Sequence, residues 1–217
     1  MDSRRSASAI MPDMPAFPLN ADNEAKPERL LEPSAAPIRA STRGPIALIL
    51  TVVGVLSRLL PHPPNFAPVD SVSLFAGARL SAWQAYLVPL AIMTITDPIL
   101  ALYYGVHPFT RWQLFTYSSL LICVWIGRRV RSTQSYWRIG TAAVACSVVF
   151  FAITNFGVWA TSSQFSATSA GLFQCYVFAL PFYKWTLASD LFYTAVLFSL
   201  HAWLSRLAAA RRLPITA

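Results

Sequence analysis

Acidic residues nearly vanish from this chain after Arg43: only Asp70, Asp97 and Asp190 remain, against eleven Lys or Arg. Glycine is sparse too, at eight in 217 residues. No phosphate-cradling glycine loop, GxSxG elbow or HExxH helix appears, which removes the common routes to nucleotide, acyl-transfer and zinc chemistry. An enzyme is therefore not expected, and the chain carries no means of powering transport by itself. Three widely spaced cysteines, Cys123, Cys146 and Cys175, form no CxxC or Cys/His cluster. They read as small apolar packing residues, and no metal or other cofactor is expected. His62 and His107, 45 positions apart, are weak material for a metal site.

What is present is hydrophobic sequence. Hydrophobic residues make up 55% of the chain and charged residues 12%, half the share usual in soluble domains. Several runs approach the ~20 apolar residues that cross a ~30 Å hydrocarbon core. The net charge of +8 lies in short clusters between these runs rather than in one basic stripe, so nucleic acid is not an expected partner and membrane lipid is. Residues 1–43 differ in kind. Six acids balance six bases, six prolines interrupt them and no apolar run appears, the composition of a disordered tail with no secretory signal.

The remainder reads as an all-α membrane domain over residues 44–207, followed by a basic tail at 208–217. The first span opens at Gly44-Pro45 and runs to about Leu60. PHPPNFAP (61–68) holds four prolines and is not helical. Val69 to Leu80 is apolar but too short to cross alone. Gln84 to Tyr104, interrupted at Asp97-Pro98, Arg111 to Gly127, Ile139 to Trp159 and Thr186 to Ser205 complete six spans. Gly171 to Pro181 reads as a short re-entrant or interfacial helix before the last one. With both termini cytoplasmic, the inner side receives ten bases, among them Arg79, Arg128, Arg129 and Arg138, and the outer side only Arg58, Arg111 and Lys184.

That topology gathers polar groups near the outer face. Arg58, Asn65, Asp97, Asn155, Trp159, Lys184 and Asp190 are the candidate substrate-binding residues, with Phe151, Phe156, Phe182, Tyr183 and Trp185 available to sandwich a flat ring. An intramembrane acid costs at least roughly 2.5–3.5 kcal/mol on insertion scales and marks a functional site by default. Plainer readings stand beside these. Asp97 pairs with Arg58 to fix helix packing, Asp190 sits in a first helical turn where the dipole favours it, Asp70 is a cap or first-turn acid, and Lys184 snorkels to headgroups.

The strings PHPPNF and TNFGVW, with the Pro89 to Asp97 span and ALPFYKWTLASDLFYTAVLF (179–198), resemble an uncharacterised bacterial membrane family, a domain of unknown function. The resemblance covers residues 45–205. That family is in turn more distantly similar to the S components of energy-coupling-factor vitamin transporters. The likeness implies a six-helix protein of the bacterial inner membrane with an outward pocket for a vitamin-like solute. It also implies partnership with a transmembrane coupling subunit and ATPases. Many S components dock through an AxxxA-like face on the first helix; here that helix offers Ala47 and Thr51, with Gly54 nearby. The competing expectation is a membrane scaffold or assembly protein whose polar residues only hold helices together.

Overall fold

The computed structural model describes residues 40–61 and 65–210, which form six helices and, among these residues, no strand. They are α1 (Ala40–Leu59), α2 (Val69–Arg79), α3 (Ala82–Tyr104), α4 (Gln113–Arg129), α5 (Tyr136–Thr161) and α6 (Ser169–Ala210). All lie in the second of two units into which the chain divides, Ser34–Ala217. α3, α5 and α6 are long and apolar enough to cross a membrane, and α1 contributes a shorter apolar stretch, Pro45–Leu59.

Three expected boundaries shift. α1 starts at Ala40, so Gly44-Pro45 lies inside it rather than at its entrance. The rest of the expected N-terminal tail falls outside the described residues, as do 211–217 of the expected basic tail. Gly171 to Pro181 is no separate re-entrant helix: α6 continues through Pro181 for 42 residues. α3 likewise runs unbroken through Pro89 and Pro98. Proline removes one i→i−4 bond and strains one turn, but flanking turns that are themselves helical and apolar carry the axis through.

α2 organises the rest. All eleven of its residues are buried, and it touches each of the other five helices. Its sequence explains this: VDSVSLFAGAR is apolar or small on every side, the signature of a helix enclosed all round. Gly77 lets the backbone of α2 close onto the Val124 carbonyl of α4, and Gly127 does the same against the Leu74 carbonyl. At its C-terminal end Arg79 donates from Nη1 to the Arg131 carbonyl (2.7 Å) and lies over the Phe198 ring. Around this hub the other helices contact one another in the order α1, α3, α4, α5, α6, and among the described residues α6 and α1 do not meet.

Length then creates the site. At 1.5 Å per residue α2 spans about 16 Å, while α3 beside it spans about 34 Å. The hub fills only half the depth of the bundle. Space remains beyond its N-terminal turn, at the end where α1, α3 and α5 finish and α4 begins.

Candidate functional site

That space is a cavity of about 820 Å³ lined by all six helices and the α1–α2 connection. Asp70, in the first turn of α2, is part of its lining, as are Asn65 and Arg58 from before it, Thr116 of α4, Asn155 of α5 and Thr186 of α6. Rings supply much of the wall: Tyr103 and Tyr104, Phe150 and Phe151, Phe182 and Tyr183. Asn65 adopts a left-handed backbone (φ 62°), a conformation asparagine tolerates, and so turns the chain over the cavity into α2.

Arg58 joins this cavity to a second polar layer. Its Nη1 donates to the Asp97 carboxylate (2.8 Å), to Thr96 Oγ1 (2.5 Å) and to the Met93 sulfur (2.9 Å). Nε and Nη2 have no partner among the described residues. Asp97 itself stands behind the lining. Its other oxygen accepts from Gln113 Nε2 (3.0 Å) and the Tyr117 hydroxyl (2.8 Å). Gln113 is held in turn by the Pro108 carbonyl. Three side chains from α1 and α4 thus close around one carboxylate of α3, and Asp97 acts on the cavity only through Arg58.

Residues 39–212 match the model of a family of unknown function, DUF6580. The chain belongs to DUF6580. No curated protein and no solved structure matches it. The matched segment of this DUF6580 protein contains every helix and the whole cavity lining.

The seven residues singled out in the sequence separate into three groups. Arg58, Asn65 and Asn155 line the cavity. Asn155 donates from Nδ2 to the Phe151 carbonyl one turn back (2.7 Å), leaving Oδ1 uncommitted among the described residues. Asp97 and Asp190 are interior but outside the lining. Trp159 and Lys184 are elsewhere: the Trp159 indole donates to the Ser166 carbonyl (3.0 Å), and exposed Lys184 lies over the neighbouring Trp185 ring. Of the expected ring residues, Phe156 and Trp185 also fall outside the cavity, whereas Phe151, Phe182 and Tyr183 line it.

Asp190 departs from its plainer reading, whereas Asp70 keeps the first-turn half of its own. Asp190 occupies the middle of α6, not a first turn, because the helix begins 21 residues earlier at Ser169; no helix dipole bears on it. Asp70 does lie in a first turn, yet α2 has Pro68 as its N-cap residue and no side-chain cap bond. The cavity residues missed in the sequence were Asp70, Thr116, Thr154 and Thr186. One signal for them was available: Tyr183, Thr186, Asp190 and Thr194 recur at three- and four-residue spacing, a polar stripe on an apolar helix. Among the described residues no group of three His, Cys, Asp or Glu is placed to hold a metal. His62 lies outside those residues, and His107 is exposed.

Proposed function

We propose that this protein captures a small, ring-containing, vitamin-like solute at the outer face of a bacterial inner membrane, as the substrate-binding part of an uptake transporter. The observation that carries this reading is the cavity. It has the size of a small-molecule site, aromatic walls and a few convergent polar groups. Arg58 brings Nε and Nη2, which have no partner among the described residues, to a carboxylate or carbonyl of the solute, Asn155 brings an acceptor, and the paired rings bracket a flat system.

Orientation has independent support. Arg79, Arg128, Arg129, Arg131 and Arg138 gather at the end of the bundle opposite the cavity, on the ends of α2 and α4 and the start of α5. By the positive-inside rule these bases favour the cytoplasmic side for that end, which supports a cavity that opens outward. Exposed Trp83 and Tyr103, at the two ends of α3, are about 30 Å apart along the helix, the span of a hydrocarbon core between two aromatic belts.

The energising partner is where the S-component likeness is weakest. Ala47 packs against the core, and the space beside Gly54 is occupied by Ile92 of α3. The small-residue positions of α1 are thus used inside the bundle, which favours a solitary carrier over docking to a coupling subunit and ATPases. A scaffold role is the second reading, favoured by the full satisfaction of Asp97 within the helix interior.

A metabolite panel screened by thermal shift on the purified protein separates the two. Transport predicts that ring-bearing acids or amides raise the melting temperature of wild type but not of Asn155→Ala, with the unliganded melting temperature unchanged. No stabilising compound in the panel, with Asn155→Ala itself unfolding, returns the scaffold reading.

A further inference from the structure

At and beneath the cavity floor lies a pair of acids to which the capture reading gives no role. Asp70 of α2 and Asp190 of α6 are 5% and 1% exposed. Asp70 Oδ1 and both carboxylate oxygens of Asp190 are buried without a hydrogen-bond partner. The only ion pair among the described residues is Arg58 with Asp97, so neither acid has a cationic partner among them.

The two helices that carry the acids are fastened by bonds to backbone carbonyls and between hydroxyls. Ser71 Oγ donates to the backbone carbonyl of Asp190 (2.9 Å), Thr194 Oγ1 to Ser71 Oγ (3.2 Å), and Ser189 Oγ to the Ala67 carbonyl (2.9 Å). These fasten the first turn of α2 to the middle of α6, and each carboxylate lies within the other's electrostatic reach. Ser147 of α5 stands beside the Asp190 carboxylate; its hydroxyl is wholly buried and has no partner in hydrogen-bonding geometry. Thr116 Oγ1, in the cavity wall shared with Asp70, is likewise buried and unpaired. The other titratable groups facing the pair are Cys123 of α4 and Cys146 of α5. Arg58 of α1 faces it from across the cavity, committed to Asp97 of α3.

We propose that Asp70 and Asp190 form a proton-binding site that exchanges with the cavity through Asp70. Two ionised carboxylates buried within electrostatic reach of each other, with no cationic partner among the described residues, are mutually repulsive and poorly solvated. A hydronium in the cavity gives its proton to a carboxylate oxygen of the pair and leaves as water, which removes one of the two charges. The neutral carboxyl then has a donor for the buried lone pairs of Ser147 or the facing carboxylate. A proton suits the site better than a metal ion. Hard cations such as Ca²⁺ gather six to eight oxygens, whereas Ser71 and Thr194 are already spent on each other and on a carbonyl. Asp190 is also outside the cavity lining, where a hydrated ion has no room.

The proton site stands on its own geometry. Its coupling to solute rests on the capture reading above: a solute that fills the cavity covers Asp70, so binding of either affects binding of the other by the same factor. This supplies a solitary carrier with an energy source, the proton gradient.

Infrared difference spectra of the full-length protein in detergent, without added solute, test the site. Between mildly acidic and mildly alkaline buffer, wild type is expected to lose a protonated-carboxyl band that shifts in heavy water. Asp70→Asn and Asp190→Asn are each expected to abolish or displace it, and Asp97→Asn to retain it. Absence of any such band in wild type overturns the proposal without recourse to variants. So does a band that both substitutions leave in place, or one that sodium at fixed pH removes. A clear band together with a metabolite panel that stabilises nothing refutes solute capture alone.

Discussion

Asp97 and Asn155 came from the same sequence logic, yet their surroundings assign them opposite burdens. Asp97 receives hydrogen bonds from Arg58, Gln113 and Tyr117 and is hardly exposed. Asp97→Ala is expected to leave a guanidinium and two donors unpaired, at a cost of about 3–5 kcal/mol, tempered by the partial exposure of Arg58. Chemical or thermal unfolding in detergent reads that loss. The double substitution Arg58→Met with Asp97→Leu restores an apolar contact and is expected to recover most of the stability while abolishing solute-induced stabilisation. Asn155→Ala removes only a bond to its own helix, and a change within about 0.5 kcal/mol is expected. Sequence reading identified Arg58 and Asn155 because a polar group in an apolar run is conspicuous wherever it points. It did not sort cavity wall from interior, since that depends on which turn faces α2. Lys184 illustrates the limit: one position from Tyr183, it lies about 100° around the helix and faces outward.

Among the helices, the α2–α4 crossing carries the sharpest steric demand. A Cβ on Gly77 meets the Val124 carbonyl, and one on Gly127 meets that of Leu74; both obstacles are backbone. Gly77→Ala and Gly127→Ala are each expected to cost about 1–3 kcal/mol or more, since the helices must move apart. The double variant should cost less than the sum, because the first displacement makes room for the second. Gly140 is the control: nothing lies near its missing Cβ, and Gly140→Ala is expected to leave the melting temperature unchanged or raise it through better helix propensity. Most helix positions were legible because long apolar runs bounded by proline, glycine or bases admit few alternatives. α6 was not. Pro181 resembles a terminator, and only the packing of both flanks against neighbouring helices keeps the axis continuous.

For the whole molecule, the alternation of helix directions puts the bases at one end and the cavity at the other. A membrane-impermeant maleimide on intact cells is expected to label Tyr104→Cys, at the cavity end of α3. Thr133→Cys, between α4 and α5, is expected to react only after permeabilisation. The native Cys123, Cys146 and Cys175 are buried and give a quiet background. Equal labelling of both positions in intact cells removes the outward assignment. The presence of apolar helices was plain from composition and a pocket was expected where polar groups converge, but its walls were not legible, because they arise from a difference in length between α2 and its neighbours.

The same difference has an electrical consequence. In the proposed outward orientation, a water-filled cavity carries the potential of the outer solution down to the first turn of α2. Nearly all the transmembrane voltage then drops over the roughly 16 Å of α2 rather than over a hydrocarbon core of about 30 Å. The field along α2 is about twice that in the surrounding lipid, and a charge released from Asp70 toward the cytoplasm samples almost all of it, worth ~2.3 kcal/mol per 100 mV.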